Sequence, residues 1–523
     1  MRADGLAGGE GGADRLGELI PVALRAMAAG IAERGGPVPA GGPAAVAAAL
    51  VAEGGELGQV TAGSGPEKLA PAADTQVAGL GAPVPSAEPV AAETGPLLSA
   101  GLPRTGVGAE AALEHLSRLL AAGSADPADP SCAAHLHCPP LAVSVAADVV
   151  ASALNPSMDS WDQAPVASEL EREFTAGIAR LCYPHAETPD AVVTTGGTES
   201  NLLGLLLARE RNPRAQPVCG ANAHHSVARA AWLLGLPAPV VVPCEGDRLL
   251  PAALDGVLTP DSVVVATAGT TNTGTLDPLP EIARICRRHL ARLHVDAAYG
   301  GMALCSATLK TKLDGLELAD SVALDLHKFG WQPVAAGLFA AREAADLAAL
   351  TVRAEYLNAD DDTEAGLPDL LGRSIRTSRR PDAFRMAVTV HALGTDGLGA
   401  LVERCCTTAG EVARLVSGHP GLRLWGRPEL STVVLRPVVA DEAGDEAGDE
   451  LVARVRRALL EAGTAVVGRA ALPTGPGGEN QLWLKLTLLH PHTTAEDYRP
   501  LLDRIAATAG AELVAGRESP VAS

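Results

Sequence analysis

Aromatic side chains are scarce in this sequence: five Trp, four Tyr and four Phe make up 2% of 523 residues. A core must therefore be assembled from Ala, Val and Leu, and each ring that does occur becomes a residue to locate. Cationic charge is short as well. Lys and Arg number 41 against 62 Asp and Glu, a formal net charge of −21, and no cation cluster is present to neutralise a phosphate backbone, which argues against a nucleic-acid partner. The nine cysteines (132, 138, 182, 219, 244, 286, 305, 405 and 406) are scattered, odd in number and without CxxC spacing, so a disulfide framework is not expected and a reduced cytosol fits. No stretch approaches ~20 uninterrupted apolar residues. The start, Met1-Arg-Ala-Asp-Gly5, has no basic segment leading into an apolar one. Neither membrane insertion nor export is expected, and the expected compartment is the cytoplasm.

What is present is length and apolar content, 523 residues at 47% hydrophobic, enough for two or three domains. Residues 1–104 are rich in Ala, Gly and Pro; helices are predicted near Ala13 to Arg34 and Pro43 to Glu53, and Thr61 to Pro96 reads as a linker with too few large apolar residues to offset its ordering entropy. Residues 105–165 form an arm with helical runs over Gly108 to Ala122 and Ala142 to Leu154. Within 166–381 a helix over Glu169 to Leu181 precedes β-branched strands at 191–194, 240–242, 262–267, 293–295 and 321–325, alternating with helices. That rhythm predicts an α/β domain with a mostly parallel central sheet. Residues 382–523 change rhythm to a long helix (383–394, continuing past Gly397 to about 416) and strands at 430–437 and 482–489, a smaller α+β domain. The acidic repeat Asp441 to Glu450 reads as a solvated loop.

The chemistry concentrates in five places. Asp296, in His294-Val-Asp-Ala-Ala-Tyr-Gly-Gly301, follows a short strand, and Lys328 ends the run Ser321-Val-Ala-Leu-Asp-Leu-His-Lys328. A lysine amine can link covalently to a cofactor aldehyde, and a carboxylate opposite a pyridine nitrogen keeps it protonated; the pair reads as a pyridoxal phosphate site. Ala297 and Ala298 leave room for a flat ring. Val193-Thr-Thr-Gly-Gly-Thr-Glu-Ser-Asn201 sets Gly196 and Gly197 between a strand and an apolar helix, with Thr198 able to donate to an anion, a geometry that suits a phosphate; an ordinary capped turn is the competing reading. One of His224 and His225 is placed to lie on a ring, or else merely to open a helix. In the hydroxyl-rich stretch 266–278, Thr271 and Asp277 are candidates at a sheet edge, against a structural role as turn formers.

Together these stretches, with Ala134-His-Leu-His-Cys-Pro-Pro140, Asn155-Pro-Ser-Met-Asp-Ser-Trp-Asp-Gln163 and Ala354-Glu-Tyr-Leu-Asn-Ala-Asp-Asp361, resemble the group II pyridoxal-phosphate-dependent amino acid decarboxylases over roughly 102–513. The wording is most like the diaminobutyrate and lysine decarboxylases. The resemblance implies fold type I (aspartate aminotransferase-like), Lys328 as the cofactor-bearing lysine, Asp296 at the pyridine nitrogen, His224 on the ring, Gly197 with Thr198 at the phosphate, and further contacts from His327, Ala298 and Thr271. It implies Tyr356 as the general acid on a lid running on to Gly366, and Arg379 or Arg380 near the substrate. It further implies a homodimer with shared active sites, His135, His137, Trp161 and Gln163 being lent across. The expected reaction releases carbon dioxide from a small basic L-amino acid (2,4-diaminobutyrate, lysine or ornithine). Alternatives are a neutral or acidic substrate, aminotransfer or oxidative deamination on the same cofactor, or a non-catalytic scaffold. No metal is expected.

Overall fold

The computed structural model describes residues 5–9, 11–57, 106–351, 360–473 and 478–518. The linker expected over 61–96 lies outside them. The chain divides into two units, Met1–Ser124 and Ala125–Ser523. The helix expected over Gly108 to Ala122 therefore groups with the N-terminal residues and not with the rest of the arm.

In the first unit the helices Gly12–Arg34, Gly42–Leu57 and Ala109–Ala122 answer the expected ones. The first and third pack closely enough that a Cβ at Gly30 would lie 2.2 Å from the Arg118 carbonyl oxygen and 2.9 Å from the Ala121 Cβ. Only glycine permits that approach. Arg34 then closes the pair by donating to the Ala121 and Ser124 carbonyls, each at 3.0 Å.

The second unit carries β1 (Cys132–Ala133), β2 (Asp190–Thr194), β3 (Gln216–Gly220), β4 (Val240–Val242), a short ladder of β5 (Cys244–Glu245) and β6 (Arg248–Leu249), β7 (Ser262–Thr267), β8 (Arg292–Ala297), β9 (Ser321–Asp325), β10 (Gly337–Ala341), β11 (Leu422–Leu424), β12 (Thr432–Pro437), β13 (Val466–Pro473) and β14 (Asn480–Thr487). Seven strands form the large sheet in the order β2-β10-β9-β8-β7-β3-β4. All run parallel except β10, which is antiparallel to both neighbours. The sheet is buried on both faces, as parallel sheets require, so β7 and β9 are buried along their whole length. Helices Pro165–Cys182, Gly197–Arg211 and Leu279–His289 cover it. The second sheet, β1-β13-β14-β12-β11, is antiparallel apart from the β1–β13 pair. It packs under Asp445–Glu461 and Arg499–Glu518 on a core of Val, Leu and Ala.

Seven strands were not predicted, and four of them, β1, β5, β6 and β11, are only two or three residues long; the other three lack a signal. β3 contains Pro217 and Gly220, β10 is Gly337-Leu-Phe-Ala-Ala341, and β13 begins in Val466-Val-Gly-Arg469; none alternates or is rich enough in branched residues to stand out. The long helix Asp382–Gly418 is two helices joined at Gly394, whose φ of 68° breaks the regular spiral.

The acidic repeat is a correction. It is helical, forming the turn Val438–Glu442 and the start of Asp445–Glu461, with Asp445 and Glu446 in the first turn, where helix N-termini favour negative charge. The cause lies in β12. Arg436 is fully buried, and Asp441 and Asp449 take its Nε and Nη1 at 2.9 and 2.7 Å. A buried guanidinium without carboxylates would be unfavourable by several kcal/mol, so the acids are held against it. Asp449→Ala leaves Arg436 with one carboxylate and strips Leu482 N–H of its acceptor; it should destabilise the chain by about 2–3 kcal/mol. Glu442→Ala, in the same repeat but exposed, should change stability by less than about 0.5 kcal/mol. Urea midpoints of the two variants check this.

Candidate active site

Because β2, β7, β8 and β9 point the same way, their carboxyl ends meet at one edge of the sheet, where open α/β folds bind ligands. A cavity of about 490 Å³ opens there, within the roughly 300–1,000 Å³ usual for small-molecule sites. Its walls include Thr195 to Thr198, His224, Thr267, Thr271, Asp296, Ala298, Asp325, His327 and Lys328.

Each strand delivers one group. Asp296 lies inside β8, which runs two residues further than the predicted 293–295, and its Oδ1 accepts the Ala298 N–H at 3.1 Å. Asp325 ends β9. Three residues on, Lys328 Nζ reaches Asp325 Oδ2 at 2.8 Å, and His327 Nε2 lies 3.4 Å from the same oxygen. After β2, Gly196 (φ 145°) turns the chain into the helix Gly197–Arg211. A Cβ on Gly196 would sit 2.9 Å from the His327 ring, and one on Gly197 2.8 Å from the Ala298 Cβ, so both glycines are demanded by close approach. No side chain caps this helix, leaving first-turn N–H groups for an anion.

Of the paired histidines, His224 lines the cavity while His225 is exposed and opens the helix Ser226–Leu233. His224 Nδ1 lies 2.8 Å from Ser226 Oγ. Burial chiefly, and the neighbouring His225, lower its pKa despite the opposing pull of Asp296. His294, fully buried under the helix Gly197–Arg211, is pushed down to about 4 by burial.

Other candidates fall elsewhere. His135 lines the cavity; His137, Trp161 and Gln163 do not, Gln163 donating instead to Ser160 Oγ at 2.8 Å. Arg379 is withdrawn from it, its buried guanidinium paired with Glu171 at 2.6 Å, while the neighbouring Arg380 pairs with Asp148. Asp277 is a structural residue, buried and accepting N–H groups from Leu249 and Thr267. Tyr356 lies outside the described residues, and 360–364 of the expected lid form a short helix. Two groups that sequence reasoning passed over belong to the site: Asn201, which donates to Asp296 Oδ2 at 2.7 Å, and Asp325, whose spacing of three from Lys328 was the available signal.

The residues suit a pyridoxal cofactor: an amine beside a carboxylate, a second carboxylate on the adjacent strand, an imidazole and a small residue on the same walls, and a glycine turn. Among the described residues, buried Thr267 Oγ1 and Asp325 Oδ1 on its walls have no hydrogen-bond partner, as expected where a polar ligand completes the bonding. A family model described as the pyridoxal-dependent decarboxylase conserved domain matches residues 94–437. The chain belongs to that family.

Its relatives within the family include an L-2,4-diaminobutyrate decarboxylase of Rhizobium meliloti (strain 1021), 37% identical over 428 residues, covering 78% of this chain and 83% of the relative. A second, from Acinetobacter baumannii, is 32% identical over 441 residues, 78% and 85% covered. Among solved structures, the glutamate decarboxylase domain of the diaminobutyrate-pyruvate transaminase and L-2,4-diaminobutyrate decarboxylase from Vibrio parahaemolyticus superposes with a TM-score of 0.76 at 25% identity, covering 97% of this chain and 98% of that one. The fold is therefore the type I fold of pyridoxal phosphate enzymes, the protein is an amino acid decarboxylase, and pyridoxal phosphate is its cofactor. None of the nine cysteines of this decarboxylase forms a disulfide, and no helix among the described residues is long and apolar enough to cross a membrane.

The neutral His294 predicts a pH effect. Unfolded chains take up a proton at this residue below about 6.5, and the native chain refuses it until about 4, so stability is full above that window and falls as pH drops through it. Urea midpoints measured from pH 7 to 4.5 should decline more steeply in the wild type than in His294→Gln.

Proposed function

We propose that this decarboxylase converts a small basic L-amino acid, with L-2,4-diaminobutyrate first and lysine and ornithine next, to the corresponding amine and carbon dioxide. Lys328 would hold the cofactor aldehyde, Asp296 would pair with the pyridine nitrogen, and His224 and Ala298 would pack on the ring. Gly196, Gly197 and Thr198 would hold the phosphate, with His327 and Thr271 as further contacts. When bound, the cofactor would supply an acceptor for the electron pair released as the bond from Cα to the carboxylate breaks. The chain's own part would be to place groups and protons: Asp296 would set its carboxylate opposite the ring nitrogen, His224 would pack against the ring, and the Tyr356 hydroxyl would deliver a proton to Cα once carbon dioxide has left.

The observation that carries the substrate class is the charge on the cavity wall. Asp296 and Asp325 line it, no arginine does among the described residues, and Lys328 is its one lysine. Among the described residues a second carboxylate on the substrate would find no further cation on this wall, Lys328 being paired with Asp325, whereas a second ammonium would meet no opposing charge there. The two bacterial relatives act, by name, on such a substrate. We infer a cytoplasmic homodimer in which His137, Trp161 and Gln163 would be lent to the partner's site, while His135 already lines the cavity of its own chain.

The test is an assay of carbon dioxide and amine against a panel of amino acids. Diaminobutyrate, lysine or ornithine should yield one amine per carbon dioxide, with kcat/KM at least about 100-fold above aspartate and glutamate. Keto-acid or ammonia in place of amine would assign the chain to aminotransfer or oxidative deamination, and preference for aspartate or glutamate would overturn the basic-substrate reading. Asp296→Asn should lower kcat by more than about 100-fold.

A further inference from the structure

Asn201 sits in the fifth position of the helix Gly197–Arg211, buried, without a place in the cavity wall. Its amide nevertheless touches three side chains and reaches a fourth through one of them. Asp296 Oδ2, 2.7 Å away, can only accept, so the amide nitrogen must face it. The amide oxygen is then fixed toward His294 Nε2 at 2.9 Å, which must carry the imidazole proton, and His294 Nδ1 is left to accept from Ser321 Oγ at 2.9 Å. The second amide N–H goes to Ser226 Oγ at 2.9 Å. That hydroxyl donates in turn to His224 Nδ1 at 2.8 Å, and the Ser226 N–H approaches the same atom at 3.3 Å. His224 therefore keeps its proton on Nε2. One amide, unable to flip without opposing oxygen to carboxylate, orients the Asp296 carboxylate directly, whereas the His224 imidazole is held by the Ser226 hydroxyl and N–H, which remain without it.

We propose that Asn201 is a positioning residue for the cofactor, acting through Asp296 on the pyridine nitrogen, with His294 as the group that locks its amide. This rests on the assignment of Asp296 to that nitrogen. Loss of the amide leaves Asp296 with the Ala298 N–H as its remaining donor and free to rotate, so its contact with the ring nitrogen weakens while the phosphate turn, Lys328 and the cavity volume stay as they are.

A cycle of two ligands and two proteins tests it. Apoenzyme, wild type and Asn201→Leu, is titrated with pyridoxal 5′-phosphate and with its 1-deaza analogue, in which C–H replaces the ring nitrogen, and dissociation constants are read from absorbance. Asn201→Leu should bind the natural cofactor about tenfold more weakly than wild type, and the analogue within about twofold. Asn201→Ala, which brings no added bulk beside His294, should repeat the pattern if the leucine variant does not fold. Equal losses for both ligands would mean that Asn201 merely supports the helix and would overturn the inference alone. Wild-type apoenzyme that binds both ligands equally well would overturn the assignment of Asp296 as well.

Discussion

Two carboxylates held at neighbouring strand ends are the constraint on which this site depends. The register pairs Asp296 with Ala323, which brings Asp325 only two residues further along the adjacent strand, and both acids come within 4 Å of the position a Cβ on Gly197 would take. Buried acids so placed must each have partners of their own. Asp325 has the Lys328 amine, delivered by the turn that succeeds its own strand. Asp296 has the Asn201 amide, delivered by the helix that comes after β2. The parallel sheet, the glycine turn and the position of the lysine are thus parts of one electrostatic arrangement. The cavity it leaves is lined by both acids, the lysine and the glycine turn.

Scarcity of aromatic residues gains meaning in the fold. Three of the thirteen rings gather behind the cavity: Phe329 lies 5.2 Å from Tyr299 and 6.1 Å from Trp331. Each polar tip reaches toward the C-terminal part of the chain. Tyr299 Oη bonds Ser431 and Thr432 at 2.9 and 3.0 Å, and Trp331 Nε1 donates to the Leu489 carbonyl at 2.8 Å. Buried rings with satisfied polar ends join large surfaces with little loss of side-chain freedom, and here they tie the loops after β8 and β9 to β12 and the turn after β14. Elsewhere Tyr183, Phe339, Trp483 and Tyr498 are each buried among Ala, Val and Leu. The wall behind Lys328 is where three rings meet.

Much of this was legible in the sequence because it is local. Asp296 and Lys328 announced themselves through short motifs at strand ends, the glycine pair through its place between a strand and a helix, and half of the fourteen strands through short apolar runs. What was hidden is long-range. Asn201 lies in an apolar helix and meets its partner 95 positions away; nothing in its own neighbourhood distinguishes it from a solvated asparagine. Arg379 carried the right charge for a substrate contact, yet the Glu171 that engages it is 208 positions distant. The acidic repeat misled in the same manner, since the buried Arg436 that draws it into helix belongs to a strand whose burial emerges only from the sheet.

The central claim is that Lys328 bears the cofactor, and borohydride reduction of the holoenzyme, then peptide mapping, tests it most directly. The account predicts a single stable pyridoxyl adduct on Lys328, absent from Lys328→Ala. An adduct on Lys310, Lys312 or Lys485 instead, or a wild-type chain that retains no cofactor after reduction, would contradict it.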